Sequence, residues 1–140
     1  MKIERAKQRD LNEISDIFIV ESAKKPYKQK WTKKTALKKI KEFFKRGTIY
    51  LVRTKEIIGF IIVDIDPKKE KTFIDELWLR HNYQGRGIGK TLIKFIENEY
   101  KKIGVKLIRL ISKGKSEAFN FYKRLGYKES KELIFMDKKL

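Results

Sequence analysis

Three glycines at alternate positions, Gly85, Gly87 and Gly89, separate a β-type apolar run from a helix-type one. Residues 72–79 read as a strand that enters the cluster through Arg80-His81-Asn82-Tyr83-Gln84. Beyond it, Ile88, Leu92, Ile93, Ile96, Tyr100 and Ile103 recur at three- and four-residue spacing, an amphipathic helix closed by Gly104. A strand that turns through glycines into a helix start leaves unpaired N–H groups and the positive end of the helix dipole aimed at one spot. The missing side chains let an anion approach that backbone. The chain is therefore α/β at its centre, with an anion site expected at this turn.

The flanking sequence alternates in the same way. Residues 2–6 read as a strand, Asp10 as the N-cap of a helix carrying Leu11, Ile14, Ile17 and Phe18, and Pro26 as a break. Thr32 is placed to cap a second helix, with Leu37, Ile40, Phe43 and Phe44 on one side and its end near Gly47. Residues 48–53 and 57–65 form an expected hairpin around Lys55, and Asp66-Pro67 opens the next turn. Residues 105–111 read as a buried strand, 116–125 as a short helix ending at Gly126, and 127–131 with 133–137 as a last pair of strands. No repeat or linker interrupts this order. The expectation is a single domain over residues 1–140, mixed α/β, with six or seven strands and about four helices.

Three loop motifs compete for the glycine cluster. A dinucleotide fingerprint needs a third glycine at position 90, which is Lys90. A P-loop needs glycine five residues before Gly89-Lys90-Thr91; that position is Gln84, and Gly85 is one place off. The run from Phe60 to Asp64 mimics a Walker B strand but lies upstream, with only one βα unit following. The third motif, Gln/Arg-x-x-Gly-x-Gly/Ala, is met without a gap by Gln84, Gly87 and Gly89. This resembles the acetyl-CoA-binding signature of the GCN5-related N-acetyltransferase (GNAT) family. The resemblance runs along the chain: Ile3-Glu4-Arg5-Ala6 with Asp10 resembles the family's opening, Asp75-Glu76-Leu77-Trp78-Leu79 its fourth strand, and Ala118, Phe121-Tyr122 and Leu125-Gly126-Tyr127 its C-terminal pattern.

The resemblance implies a GNAT-type acyl-CoA N-acyltransferase fold with a central, mostly antiparallel sheet. It implies acetyl-CoA as cosubstrate, no metal, and direct attack of a primary amine on the thioester in a ternary complex. The fourth and fifth strands, 72–79 and 105–111, would part to admit the pantetheine arm. The backbone of Leu77, Trp78 and Leu79 would pair with it, and the Leu79 N–H would face the thioester carbonyl. A preorganised donor of that kind is worth roughly 2.7–4 kcal/mol. The diphosphate would rest on the N–H groups of Gly85, Arg86, Gly87, Ile88, Gly89 and Lys90, with a hydroxyl from Thr91 and charge from Arg86 and Lys90. Tyr122 would donate a proton to the departing thiolate; its other reading is a core aromatic. Asp75 and Glu76 are the candidate bases, since the amine must lose a proton. Strand alternation sends them to opposite faces, Asp75 with Leu77 and Leu79, unless a bulge swaps them. His81 reads as a solvated loop residue. The family's frequent asparagine three residues before the alanine is replaced by Lys115, a residue able to reach a phosphate instead. Residues 105–111 hold no carboxylate, which weakens a protein N-terminus as acceptor.

Charge bears on the acceptor. Of a net +18, residues 24–46 carry 11 basic side chains against Glu42 alone, and residues 101–140 contribute a net +8. In the family the acceptor is selected largely by the first two helices and their connection, here the basic segment with Tyr27 and Trp31. A polyamine would be repelled there; an anionic small amine, or an amine on a nucleic-acid-associated protein, would be drawn in. The competing reading of the charge is a nucleic-acid-binding module on a degenerate acyltransferase fold; a solvated lysine-rich face explains it as simply. The absence of cysteine excludes disulfides and thiolate chemistry, and the single His81 excludes a multi-histidine zinc site. No apolar run is long enough for a bilayer span, and the first residues lack a signal-type apolar stretch. The expected setting is cytoplasmic, as a monomer or homodimer, with no membrane partner.

Overall fold

The computed structural model describes residues 1–64 and 70–140. The Asp66-Pro67 turn and the end of the 57–65 strand, Ile65, lie outside the described residues. In chain order the elements are β1 (Lys2–Arg5), α1 (Leu11–Ser22), α2 (Lys33–Arg46), β2 (Thr48–Arg53), β3 (Ile57–Asp64), β4 (Lys71–Leu79), α3 (Ile88–Lys102), β5 (Leu107–Leu110) and α4 (Glu117–Arg124). The strands form one sheet in sequence order, antiparallel from β1 to β4, with β4 and β5 parallel.

Helices cover both faces of this sheet, which explains why seven of the eight residues of β3 are buried. On one face, Leu11, Ile14, Ile17 and Phe18 of α1 and Ala36, Ile40 and Phe43 of α2 pack on Ile49, Leu51, Phe60 and Ile62. On the other, Ile88, Leu92, Ile93, Ile96 and Tyr100 of α3 pack on Val52, Ile58, Ile61, Val63 and Ile74. Each such aliphatic side chain contributes roughly 1.5–3 kcal/mol by leaving water. The Thr32 hydroxyl accepts from the Thr35 N–H at 3.1 Å and caps α2 as expected. Asp10 stands at the N-cap position of α1 as expected, but its side chain makes no capping bond. Its carboxylate accepts from Lys7 N–H at 2.8 Å and Arg53 Nη2 at 2.8 Å, tying the entry of α1 to β2.

Among the described residues the sheet has five strands, not six or seven. The expected strands 127–131 and 133–137 carry no strand structure. Leu133, Ile134, Phe135 and Met136 stand 74–93% exposed, so no helix layer rewards their pairing. β5 has only four residues to template another strand. An open groove of about 550 Å³ remains between β5, α4 and residues 127–135.

Candidate active site

β4 and β5 are paired only from Lys71 opposite Leu107 to Ile74 opposite Leu110. β4 then runs on for five residues while β5 ends, and a cleft of about 270 Å³ opens between them. A bulge sits where the strands part. Ile62 pairs with Glu76 and the next residue, Val63, with Ile74, so Asp75 is the extra residue of β4. Ile74, Leu77 and Leu79 all pack on the α3 face, a spacing of three then two that strict alternation forbids. The expectation that Asp75 shares a face with Leu77 and Leu79 is thereby overturned. Arg80 N–H donates to Ile58 O on β3 at 2.8 Å, so alternation turns the N–H groups of Leu79 and Leu77 toward the cleft.

Both carboxylates lie on the side of α1 and α2. Glu76 Oε1 accepts from Trp78 Nε1 at 3.3 Å and stands 3.9 Å from Lys39 Nζ. Burial pushes the Glu76 carboxyl above the ordinary glutamate value, against the pull of the Lys39 ammonium and the Trp78 N–H. Asp75 is raised by burial and by Asp64, while Arg46 and Lys39 pull it down; its Oδ2 is buried without a hydrogen-bond partner. Tyr122 comes from α4 to the same cleft, and burial, with Tyr27 and Glu76 nearby, holds its phenol well above the ordinary tyrosine value. Glu76 is therefore the carboxylate whose field reaches both Tyr122 and Tyr27. The cleft thus combines a protonated phenol, a carboxylate with raised proton affinity and two free N–H groups.

At the far end of β4 the glycine turn has the expected geometry. Gly85 and Gly87 take φ of 75° and 81°, and a Cβ added at either would meet nothing within 4 Å. Among the described residues, the N–H groups from Gly85 to Lys90 find no backbone acceptor. Free donors beside open space are what a diphosphate requires. Ile88 is buried as the first residue of α3, and Gly89 is set against Phe121, whose Cζ would lie 3.3 Å from an added Cβ. Arg86 and Lys90 are exposed beside the turn, with Arg86 stacked 5.5 Å from the Tyr83 ring. The Thr91 hydroxyl is engaged, donating to Gly87 O at 3.0 Å. Gln84 points away from the turn: its Nε2 donates to Leu79 O at 3.0 Å and Glu21 Oε1 at 3.2 Å. Lys115, with φ of 60°, occupies the exposed turn before α4, and the cleft is lined by Lys113 instead.

Several side chains of the site carry no motif. Lys39 lies 5.0–5.6 Å from the rings of Phe18, Trp31 and Phe43. Its signal was its place three residues after Ala36, on the stripe that α2 buries. Tyr27 and Gln29 line the cleft from the α1–α2 connection, and Tyr27 meets Trp78 edge-on at 5.0 Å. Lys113 Nζ donates to Pro26 O at 3.3 Å, bridging the cleft from the β5–α4 loop. Glu21 is 5% exposed, on the apolar stripe of α1 three residues beyond Phe18.

A sheet parted beside a turn of unpaired N–H groups, with a phenol and two carboxylates lining the gap, is the α/β arrangement expected of the acyltransferase class. Comparison with known proteins gives the family. The acetyltransferase (GNAT) family profile matches residues 11–127, and the chain belongs to that family. An uncharacterised N-acetyltransferase of Methanocaldococcus jannaschii, MJ1207, is 34% identical over 83 residues, 55% of this chain and 36% of that protein. The match thus spans little more than a third of this relative's length. Among solved structures, a possible acetyltransferase from Clostridium difficile 630 superposes with a TM-score of 0.82 at 15% identity, covering 99% of this chain and 97% of that one. An aminoglycoside acetyltransferase from an uncultured soil metagenomic sample, in complex with sisomicin, gives 0.71 at 18% identity, covering 99% and 95%. At these identities the likeness is one of fold. Among the described residues no group of carboxylates and histidine is placed to hold a metal ion, and no helix is long and apolar enough to cross a membrane.

Proposed function

We propose that this chain is an acetyl-CoA-dependent N-acetyltransferase acting on a primary amine. The observation that carries the reading is the parting of β4 from β5 directly upstream of the glycine turn, which aligns a strand edge with an anion cradle. The pantetheine arm pairs with the free edge of Leu77–Leu79, and the diphosphate rests on the N–H groups of residues 85–90. The amine enters between Tyr27 and Glu76. Its nitrogen lone pair forms a bond to the thioester carbonyl carbon while the Leu79 N–H holds the developing oxyanion. Glu76 takes the proton from nitrogen. The carbon–sulfur bond then breaks, and Tyr122 gives its proton to the thiolate; a proton from Glu76 or solvent restores the phenol. Asp75 and Glu76 both line the cleft with Tyr122; Glu76 is taken as the base of this scheme because its charge acts on Tyr122 and Tyr27.

The acceptor follows from charge. The connection that carries Tyr27 also presents the exposed Lys25, Lys28 and Lys30, and Lys113 spans the mouth. An amine that carries its own negative group meets complementary charge there, whereas a polycation such as an aminoglycoside is repelled. Calorimetric titration with acetyl-CoA, with dephospho-CoA and ATP as controls, tests the reading. Micromolar binding of acetyl-CoA with little heat from ATP supports it, and a screen for thiol release over anionic and polycationic amines then tests the acceptor. An absence of acetyl-CoA binding at moderate salt overturns it.

A further inference from the structure

We infer that Glu21 is a positioning residue that ties the cofactor turn to the acceptor loop, so that filling one subsite orders the other. The inference rests on the acetyltransferase reading above. Glu21 sits in the last turn of α1, and its carboxylate is 4% exposed. Two segments converge on it. Lys24 Nζ donates to Oε1 and Oε2 at 3.1 Å each. His81 N–H donates to Oε2 at 3.3 Å, and Gln84 Nε2 donates to Oε1 at 3.2 Å. The first contact fixes the start of the α1–α2 connection; the other two fix the chain between β4 and Gly85.

Both sides of this knot lead to a subsite. From Lys24, the main chain folds tightly: its carbonyl accepts from Tyr27 N–H at 3.0 Å and Lys28 N–H at 3.0 Å, and Ser22 O accepts from Gln29 N–H at 2.9 Å. Tyr27 and Gln29 then line the cleft. From Gln84, the same Nε2 that reaches Glu21 also donates to Leu79 O at 3.0 Å, on the strand edge that faces the thioester. The next residue, Gly85, opens the anion cradle. One buried carboxylate thus accepts from both segments at once. Displacing either leaves donors unpaired and strips the buried carboxylate of part of its bonding, a costly state in a desolvated site. The two segments are therefore favoured in place together, the condition for coupling between two ligands. Glu21 takes no part in the proton transfers assigned to Glu76 and Tyr122, and nothing in the loop motif calls for it.

Two variants separate its tasks. Glu21→Ala removes every contact. Glu21→Gln keeps an acceptor for the His81 N–H but loses the ion pair with Lys24. The readouts are acetyl-CoA affinity by calorimetry and hydrogen exchange over residues 23–31 with and without acetyl-CoA. In the wild type, acetyl-CoA slows exchange in 23–31. Glu21→Ala weakens acetyl-CoA about tenfold (about 1.4 kcal/mol) and abolishes that slowing. Glu21→Gln recovers most of the affinity, while 23–31 stays indifferent to acetyl-CoA. Ser15→Ala, which removes a buried hydroxyl bonded to Leu11 O on the same helix, is the control for a general loosening of α1 and keeps the wild-type response. Wild-type affinity in Glu21→Ala, or slowing of 23–31 that survives in it, overturns the inference while leaving the acetyltransferase reading intact. A wild type that does not bind acetyl-CoA defeats that reading first, and the inference with it.

Discussion

Gly59→Ala tests the placement of the oxyanion donor through a residue outside the site. Gly59 lies on β3 directly opposite Leu79. A Cβ built there overlaps Leu79 Cδ2 and comes within 2.8 Å of Trp78 O, a backbone atom that no rotamer change can remove. Ordinary contact begins near 3.4 Å, so β4 must retreat by about 0.6 Å at Trp78–Leu79. Overpacking of this kind costs roughly 1–3 kcal/mol, and the entropy gained by losing a glycine returns about 0.5–1 kcal/mol. Against a backbone atom the upper part of that range applies, and the net loss of about 1–2.5 kcal/mol lowers the midpoint of thermal unfolding by roughly 3–10 °C for a chain of this size. The same retreat moves the Leu79 N–H away from its target. A misplacement of about 1 Å is worth roughly a hundredfold in rate, so kcat falls about tenfold or more. Gly47→Ala provides a matched control: its Cβ meets Val63 O at 2.8 Å, at the end of α2 and four β3 residues beyond Gly59, the partner of Leu79. It costs similar stability and leaves kcat unchanged. Thermal unfolding and thiol release from acetyl-CoA measure both quantities. An unshifted midpoint in Gly59→Ala refutes the close approach, and equal rate losses in the two variants refute the role given to Leu79.

Other consequences are direct. Tyr122→Phe lowers kcat by roughly a hundredfold and leaves acetyl-CoA affinity unchanged, because only the proton to sulfur is lost; an affinity loss instead would assign Tyr122 to packing. Because burial raises the Glu76 carboxyl in the folded enzyme, the rate climbs with pH through a midpoint above the ordinary glutamate value of 4.5. Lys39→Met removes a charge that holds this carboxyl down and shifts the limb to higher pH, Glu76→Gln removes the limb, and Asp75→Asn keeps the limb but shifts it to lower pH, because the Asp75 charge helps to raise Glu76. Gly87→Ala adds a side chain at φ of 81° with no atom within 4 Å, so it costs about 1–2 kcal/mol of backbone strain and weakens acetyl-CoA without creating a clash. Full acetyl-CoA affinity in that variant would place the diphosphate elsewhere.

What the sequence discloses and what it conceals follow from the range of the interactions involved. α3 and the glycine turn are written locally: the stripe from Ile88 to Tyr100, the left-handed turns at Gly85 and Gly87 and the closing Gly104 each need only neighbouring residues. The hairpin of β2 and β3 is legible for the same reason. The final strands are not, because 127–137 has a β-like pattern but pairing also needs a partner edge and a covering layer. β5 supplies a four-residue edge, and among the described residues no helix covers Leu133–Met136. The bulge at Asp75 is an intermediate case. The spacing of Ile74, Leu77 and Leu79 records it, but the extra residue could be located only once Ile62 and Val63 were seen opposite Glu76 and Ile74. That one residue puts Asp75 on the same side of the sheet as Glu76. Glu21 and Lys39 show the converse. Each is a charged residue on a helical stripe otherwise given to the core, and burial at such a place is tolerated only with partners. The stripe flags them, but the partners, Lys24 with the 81–84 loop for one and Glu76 with three aromatic rings for the other, belong to the tertiary structure. A polar residue on an apolar stripe therefore marks where a site is assembled before any motif says what the site does.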